Sequence, residues 1–110
     1  LHVDDMAEAS LFVLDLPQEA YARETEPMRS HLNVGTGTDL AIADLARMIA
    51  AITGFTGQIR FDASRPDGTA RKLLDVSRLA RLGWQAQIPL QQGLAATYDW
   101  FLTHQDTARR

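Results

Sequence analysis

The sequence contains no cysteine, which excludes a disulfide framework and a thiolate metal site. It also lacks a long hydrophobic run: the uncharged stretch that begins at Met48 is interrupted by Gly54 and Gly57. That stretch is too short to cross a bilayer. Basic side chains number 11 against 14 acidic ones, so the net charge of −3 gives no general attraction to nucleic acid or to an anionic membrane. We therefore expect neither as a partner.

What the chain does contain is typical of an ordinary globular domain. Apolar residues make up 45% of its 110 positions and charged residues 23%, which excludes a disordered tail or a fibre. The three histidines (His2, His31 and His104) lack the spacing of metal ligands, so we expect no metal site. The chain begins with Leu1 rather than Met, which suggests that it comes from the inside of a longer protein.

Hydrophobic periodicity predicts an α/β protein with about four helices and short strands. The predicted helices are Asp4–Leu16, Ala41–Thr53, Val76–Leu82 and Leu90 to about Gln105, with a helical turn or loop between Pro17 and Arg29. The predicted strands are His31–Val34 and Gln58–Asp62, with a further extended piece at Lys72–Asp75. The first helix has Asp5 and Glu8 at capping-box spacing.

Two or three short strands cannot form a parallel sheet that is stable by itself, because such strands need cover on both faces. The first helix and the strand His31–Val34 therefore look like parts of an incomplete Rossmann sheet. We expect both elements to expose apolar faces and the chain to be only marginally stable.

A glycine motif follows the first predicted strand. Gly35 and Gly37 precede a helix, as in a dinucleotide-binding fingerprint, and Asp62 ends the next strand, where a ribose-binding acid would lie. The third glycine position holds Leu40, however, and a glycine pair also occurs in purely structural turns. Two readings stay open: a nucleotide-binding module that uses these residues, or a backbone turn.

A second motif lies in the turn-rich loop from Ser64 to Lys72. It carries three cations and one carboxylate: Arg65, Asp67, Arg71 and Lys72. Cationic side chains bind phosphate oxygens, and a carboxylate accepts from paired N–H or O–H donors, so the loop could hold a nucleoside diphosphate. The alternatives are a solvated loop with a local Arg–Asp pair, or a domain that serves only structure or interaction.

Five segments together resemble a known family. Residues 1–7 (LHVDDMA) and 31–37 (HLNVGTG) are similar to segments of extended short-chain dehydrogenase/reductases that act on nucleotide sugars. Residues 61–75 (FDASRPDGTARKLLD) resemble the more specific signature of the GDP-L-fucose synthase family, and residues 82–84 and 97–101 resemble its C-terminal end.

This resemblance implies an NADPH-dependent enzyme that epimerises GDP-4-keto-6-deoxy-D-mannose and reduces it to GDP-L-fucose in the cytoplasm. The chain would be its C-terminal part, with residues 1–37 ending the Rossmann domain and residues 38–110 forming a substrate-binding domain. The family's catalytic residues and most of its cofactor site lie upstream. No catalytic or cofactor-binding residue is therefore expected in this chain. The missing Rossmann domain is the expected partner, and the sequence leaves a homodimer open.

The resemblance also implies site residues. Asp67 and Lys72 would bind the GDP part of the substrate, with Arg71 and Arg65 as weaker candidates. The sequence departs from the family where a Ser or Thr often caps the helix at 41–53. Ala41 stands there instead, so Thr38 or Asp39 is expected to cap that helix.

Overall fold

The computed structural model describes residues 1–66 and 68–107, and over these ranges the chain is helical and irregular. The helices are α1 (Val3–Leu14), α2 (Gln18–Glu24), α3 (Ile42–Thr53), α4 (Ser77–Leu82) and α5 (Leu90–His104). They confirm the four helices expected from periodicity, with ends shifted by one or two residues, and they resolve part of the stretch 17–29 as a fifth.

The predicted strands are wrong for the described part of the chain. None of the segments 31–34, 58–62 and 72–75 pairs with another, and the one bridge in these ranges is an isolated antiparallel contact between Glu26 and Arg29. A strand exists only when a neighbour accepts and donates its backbone hydrogen bonds. Alternating side chains predicted the right local pattern, but no segment described here supplies that neighbour.

The chain divides into two compact units. The first unit contains residues Leu1–Asp39 and Leu73–Pro89, and the second contains Leu40–Lys72 and Leu90–Arg110. Each unit is thus built from two stretches of chain. The division at residues 37 and 38 that the family resemblance implies stays a prediction.

The core of the first unit is small. Ala9 of α1, Leu79 of α4 and Trp84 are its buried apolar residues, and the half-buried side chains packed on them are Phe12, Val13, Leu32, Val34 and Ala86. Gly83 ends α4 with a φ of 107°, a left-handed conformation that glycine adopts without steric cost. This turn leads directly into Trp84, which is only 6% exposed and belongs to this core.

A buried carboxylate joins the two stretches of the first unit. Asp5 is only 1% exposed, and its two oxygens accept hydrogen bonds from the backbone N–H groups of Gln87 (3.0 Å) and Ile88 (3.1 Å). The expected capping box of Asp5 and Glu8 is therefore wrong. His2 is the N-cap residue, and its Nδ1 accepts from the Asp4 N–H at 3.2 Å. Asp5 is instead committed to a segment more than 80 positions away.

An ion pair connects α2 with α4 in the same unit. Glu24 Oε2 lies 2.8 Å from Arg81 Nη2 and accepts from Arg81 Nε at 2.9 Å. Arg78, one helical turn earlier, donates to the carbonyl of Arg29 at 3.0 Å. The hydrogen bond from Arg81 holds the pKa of the Glu24 carboxyl below its usual value.

The second unit packs α3 against α5 with little complete burial. Gly93 of α5 is its one buried residue within the described ranges, consistent with a close helix contact at this position. The N-cap residue of α3 is Ala41, without a side-chain bond, so the expectation that Thr38 or Asp39 is the N-cap residue is wrong. Gly54 ends the helix in the left-handed region, with a φ of 69°.

The first prediction concerns the carboxylate of Asp5. Asp5→Ala would leave two N–H groups without an acceptor, so we expect the free energy of unfolding to fall by about 2–4 kcal/mol. Asp4→Ala is the matched control because the Asp4 side chain is exposed; its effect should stay below about 1 kcal/mol. Urea unfolding monitored by tryptophan fluorescence measures both. Equal losses for the two variants would show that the Asp5 contact does not hold the unit together.

The second prediction concerns acid. Because the folded pKa of Glu24 is lowered, its pair with Arg81 stabilises the fold above the usual glutamate value of 4.5 and loses this effect as the pH falls through the folded pKa. Glu24→Gln should therefore lower the melting temperature at pH 7 and flatten its fall between pH 5 and 3. Glu19→Gln, on the same helix, serves as the control and should keep the wild-type slope. Identical acid limbs for all three proteins would contradict the prediction.

Candidate functional site

The loop that carries the predicted site residues begins with a turn at Asp62. Its Oδ1 accepts from the Ser64 hydroxyl at 2.6 Å and from the Ser64 N–H at 2.9 Å. The hydrogen bond from the Ser64 hydroxyl, and to a smaller extent the one from the Ser64 N–H, holds the pKa of the Asp62 carboxyl below its usual value. Asp62 therefore organises the entry to the loop, which is the role of aspartate in an Asx turn.

The candidate cations of the loop differ in their local contacts. Arg65 lies beside the turn, with Nε 3.9 Å from Asp62 Oδ2, and both side chains are exposed. This local pair differs from the one left open within the loop, whose one carboxylate is Asp67. Lys72 is exposed and forms no hydrogen bond or ion pair with the rest of the described chain. Arg71 is exposed but has an interaction partner, and Asp67 lies outside the described residues.

The glycine motif is a tight turn packed against one side chain. Gly37 has a φ of 71°, and a Cβ built there would lie 3.0 Å from Val76 Cγ2. At Gly35 the corresponding distance to Val76 Cγ1 is 3.3 Å. Both glycines thus allow the backbone to approach Val76 closely, and this accounts for the motif without a ligand.

The same turn borders a cavity of about 210 Å³. Its wall includes Gly35, Thr36, Leu79 and Trp84, and the buried Nε1 of Trp84 has no hydrogen-bond partner within residues 1–66 and 68–107. Sequence reasoning missed this cavity because its walls come from segments about 40 positions apart.

A larger apolar groove of about 400 Å³ lies on another side of the first unit. It is lined by one face of α1, by one residue of α2 and by three alternate residues of the segment that follows α2. These residues are Ala9, Ser10, Val13, Leu14, Tyr21, Ser30, Leu32 and Val34. The expectation that the first helix exposes apolar side chains is confirmed at Leu11 and Leu14. The sequence signal for the groove was this surplus of apolar residues on α1.

The described ranges contain neither a metal site nor a membrane-spanning helix. No group of three or more His, Asp or Glu side chains there is placed to hold a metal ion. None of the helices described has the length and hydropathy needed to span a membrane.

Comparison with solved structures gives the class of protein. The chain superposes with a TM-score of 0.83 on a GDP-6-OMe-4-keto-L-xylo-heptose reductase from C. jejuni, at 33% identity over 94% of this chain and 30% of that one. A GDP-mannoheptose C4 reductase from Campylobacter jejuni, solved with NADP bound, gives a TM-score of 0.76 at 31% identity, covering 93% of this chain and 30% of that one. The fold therefore resembles that of the matched 30% of these two reductases.

Sequence comparison identifies the particular relatives. The chain is 57% identical to GDP-L-fucose synthase of Escherichia coli over 99% of its length, and 42% identical to GDP-L-fucose synthase 1 of Arabidopsis thaliana over 93%. The resemblance inferred from the sequence is thus confirmed. The chain spans 34% and 29% of the length of these two relatives. No protein-family model matches it.

The glycine turn at Gly35 and Gly37 does not have the form of a dinucleotide cradle. Leu40 occupies the third glycine position of the motif, and the first two glycines are packed on Val76. Since phosphate cradles need backbone N–H groups that are open at a helix N-terminus, this turn does not fit an NADP pyrophosphate. The resemblance likewise implied that the cofactor is bound mainly outside this chain.

The third prediction tests this assignment of the glycine turn. Gly37→Ala adds a Cβ against Val76 at an unfavourable φ, whereas Gly54→Ala meets nothing within 4 Å at nearly the same φ of 69°. Gly54→Ala should cost about 1 kcal/mol of unfolding free energy, and Gly37→Ala about 1 kcal/mol more. The second mutation Val76→Ala should remove that extra cost. Equal costs for both glycine variants, together with NADPH binding that Gly37→Ala abolishes, would favour the nucleotide-binding module instead.

Proposed function

We propose that the chain is the C-terminal, substrate-binding part of an NADPH-dependent enzyme that converts GDP-4-keto-6-deoxy-D-mannose to GDP-L-fucose. The observation that carries the proposal is the 57% identity to GDP-L-fucose synthase over 99% of the chain. The identity to the heptose reductases is lower, at 33% and 31%, which favours the fucose synthase reaction over theirs.

The role proposed for this chain is to bind and position the nucleotide sugar. The cationic loop supports that role because Lys72 presents an exposed ammonium group with no partner among the described residues, and such a group binds diphosphate oxygens strongly. Arg65 is a weaker ligand because Asp62 already lies beside its guanidinium group. Asp67 and Arg71 stay proposed ligands on the family resemblance.

The chemistry of the whole enzyme would fall to residues outside this chain. The reaction requires proton removal beside a ketone, reprotonation on the opposite face, and reduction of the ketone by a hydride that NADPH supplies when bound. The sequence has no cysteine and no Tyr-x-x-x-Lys pattern for these steps. By fixing the nucleotide end of the substrate, the loop would hold the sugar ring in place for reacting groups elsewhere.

We also propose an N-terminal Rossmann domain as the partner of this chain and a cytoplasmic location for the whole enzyme, both from the family resemblance. A homodimer stays a prediction. Exposed aromatic side chains on α5, Trp100 and Phe101, support an association through that helix.

The fourth prediction uses a chimera in which this chain replaces the matched range of the Escherichia coli GDP-L-fucose synthase. The chimera should oxidise NADPH when given GDP-4-keto-6-deoxy-D-mannose, and the isolated chain should not. In the chimera, Lys72→Ala should raise the KM for the GDP-sugar about 10-fold or more, because one charge-assisted hydrogen bond to phosphate is lost.

Arg60→Ala is the matched control. Arg60 is an exposed cation of the same unit, and it donates to Gln58 Oε1 at 3.0 Å. Its loss should change the KM less than about 2-fold. A chimera that turns over the substrate with the same KM in both variants would overturn the role of Lys72, and a folded chimera that reduces only a GDP-heptose would overturn the proposed substrate.

A further inference from the structure

Asp62 fixes the start of the cationic loop through two of its acceptor groups. Its Oδ1 accepts from the Ser64 hydroxyl at 2.6 Å and from the Ser64 N–H at 2.9 Å, and its backbone carbonyl accepts from the Arg65 N–H at 3.5 Å. A carbonyl bonded to the N–H three positions later closes a turn, and an aspartate side chain bonded two positions later reinforces it. One residue therefore sets the direction in which the chain enters the loop.

The second carboxylate oxygen of Asp62 lies beside a cation of the same turn. Oδ2 is 3.9 Å from Arg65 Nε, and the side chains of Asp62 and Arg65 are 65% and 84% exposed. An exposed ion pair of this length stabilises the fold very little. Its consequence lies in binding, because a phosphate that approaches Arg65 must compete with a carboxylate that is already there.

The charge of Asp62 is present under the conditions in which an enzyme works. The hydrogen bond from the Ser64 hydroxyl, followed by the one from the Ser64 N–H, holds the pKa of the Asp62 carboxyl below its usual value of 3.8. The carboxylate is therefore ionised at neutral pH. Its two oxygens have separate partners, the backbone turn at Oδ1 and a guanidinium group near Oδ2.

The sequence pattern of this turn occurs a second time, after the loop. Residues 62–65 (DASR) and 75–78 (DVSR) are both Asp-x-Ser-Arg. In the second copy, Asp75 Oδ1 also accepts from the N–H two positions later, at 2.9 Å, but Arg78 donates to the carbonyl of Arg29 at 3.0 Å. The arginine of the second copy thus bonds to the backbone of the fold. The first copy differs because its guanidinium group is exposed beside the carboxylate alone.

We propose that Asp62 is a positioning residue of the substrate site, which orders the cationic loop through Oδ1 and competes with the diphosphate of the GDP-sugar for Arg65. The proposal rests on the proposed function because it takes the loop to bind a GDP-sugar. It adds a residue that acts on the substrate only through its neighbours. The two parts of its action have opposite signs: an ordered loop binds more tightly, whereas a negative charge beside Arg65 weakens binding.

The fifth prediction separates the two effects by two substitutions of Asp62 in the chimera, with GDP as the probe. Asp62→Asn keeps an oxygen that can accept from Ser64 but removes the charge, so the Kd for GDP should fall about 2- to 3-fold. Asp62→Ala removes the acceptor as well, and loss of the ordered turn should raise the Kd about 5-fold. Isothermal titration calorimetry measures both. In turnover assays the KM should follow the Kd, while kcat stays unchanged.

A double-mutant cycle distinguishes competition for Arg65 from a general effect on the loop. In the Arg65→Ala background, Asp62→Asn should no longer lower the Kd, because the cation that it releases is absent. Asp75→Asn is the matched control in the second copy of the pattern and should leave the Kd within about 1.5-fold of the wild-type value. A Kd that Asp62→Asn leaves unchanged or raises would overturn the proposal, as would an equal gain with and without Arg65.

Ser64 tests the ordering of the turn independently of the charge. Ser64→Ala removes the hydroxyl that donates to Asp62 and should raise the Kd for GDP about 2-fold or more. Ser64→Thr keeps a hydroxyl at the same position and should restore the wild-type Kd. A threonine variant that binds GDP as poorly as the alanine variant would contradict the role of Oδ1.

The positioning role and the proposed function fail by different results. A chimera that binds GDP with the coupling between Asp62 and Arg65, but does not reduce GDP-4-keto-6-deoxy-D-mannose, would support the positioning role and remove the proposed function. A chimera that reduces this substrate, but whose Kd for GDP does not respond to Asp62→Asn, would overturn the positioning role alone. A folded chimera without measurable affinity for GDP would overturn both.

Discussion

The buried carboxylate of Asp5 is the contact on which the first unit depends. A carboxylate removed from water is very unfavourable unless donors replace the water, and here two consecutive backbone N–H groups, those of Gln87 and Ile88, do so. The contact ties the start of α1 to the stretch that ends the unit, and between these two points Leu79 and Trp84 close the core. A core of three buried apolar residues gives limited stabilisation, so a hydrogen-bonded junction of this kind adds to what holds the unit together.

The helices could be predicted from the sequence because their signals are local. Apolar spacing predicted α3 and α4 to within one residue at each end. The strands and the role of Asp5 could not be predicted, since each depends on a partner far away in the sequence. An acid near the start of a helix can cap that helix or bind a distant segment. The residues next to Asp5 give no sign of which role it has, so its bonds to residues 87 and 88 could not be predicted.

In the candidate site, too, the sequence indicates which residues are present but not how they are placed. The motif from Ser64 to Lys72 was sufficient to indicate the family, because its residue types and spacing are specific. The geometry of the loop also ranks its cations as phosphate ligands, which the motif alone does not. Asp62 is held by Ser64 and lies beside Arg65, whereas Lys72 has no such neighbour among the described residues. A carboxylate close to a cation weakens its attraction for a phosphate, which is why Lys72 rather than Arg65 is the stronger candidate.

The failure of the strand prediction is itself informative about how this sequence folds. Leu32 and Val34 alternate with Asn33 as in a strand, and the side chains take up the two-sided packing that this alternation predicts. Only the hydrogen-bonded neighbour is missing. Side-chain patterning thus positions the segment between α1 and residues 74–76 without any ladder, since apolar packing acts through the faces of a strand and hydrogen bonding through its edges. A sequence can therefore specify the place of an extended segment through its two faces even where no described segment pairs with its edges.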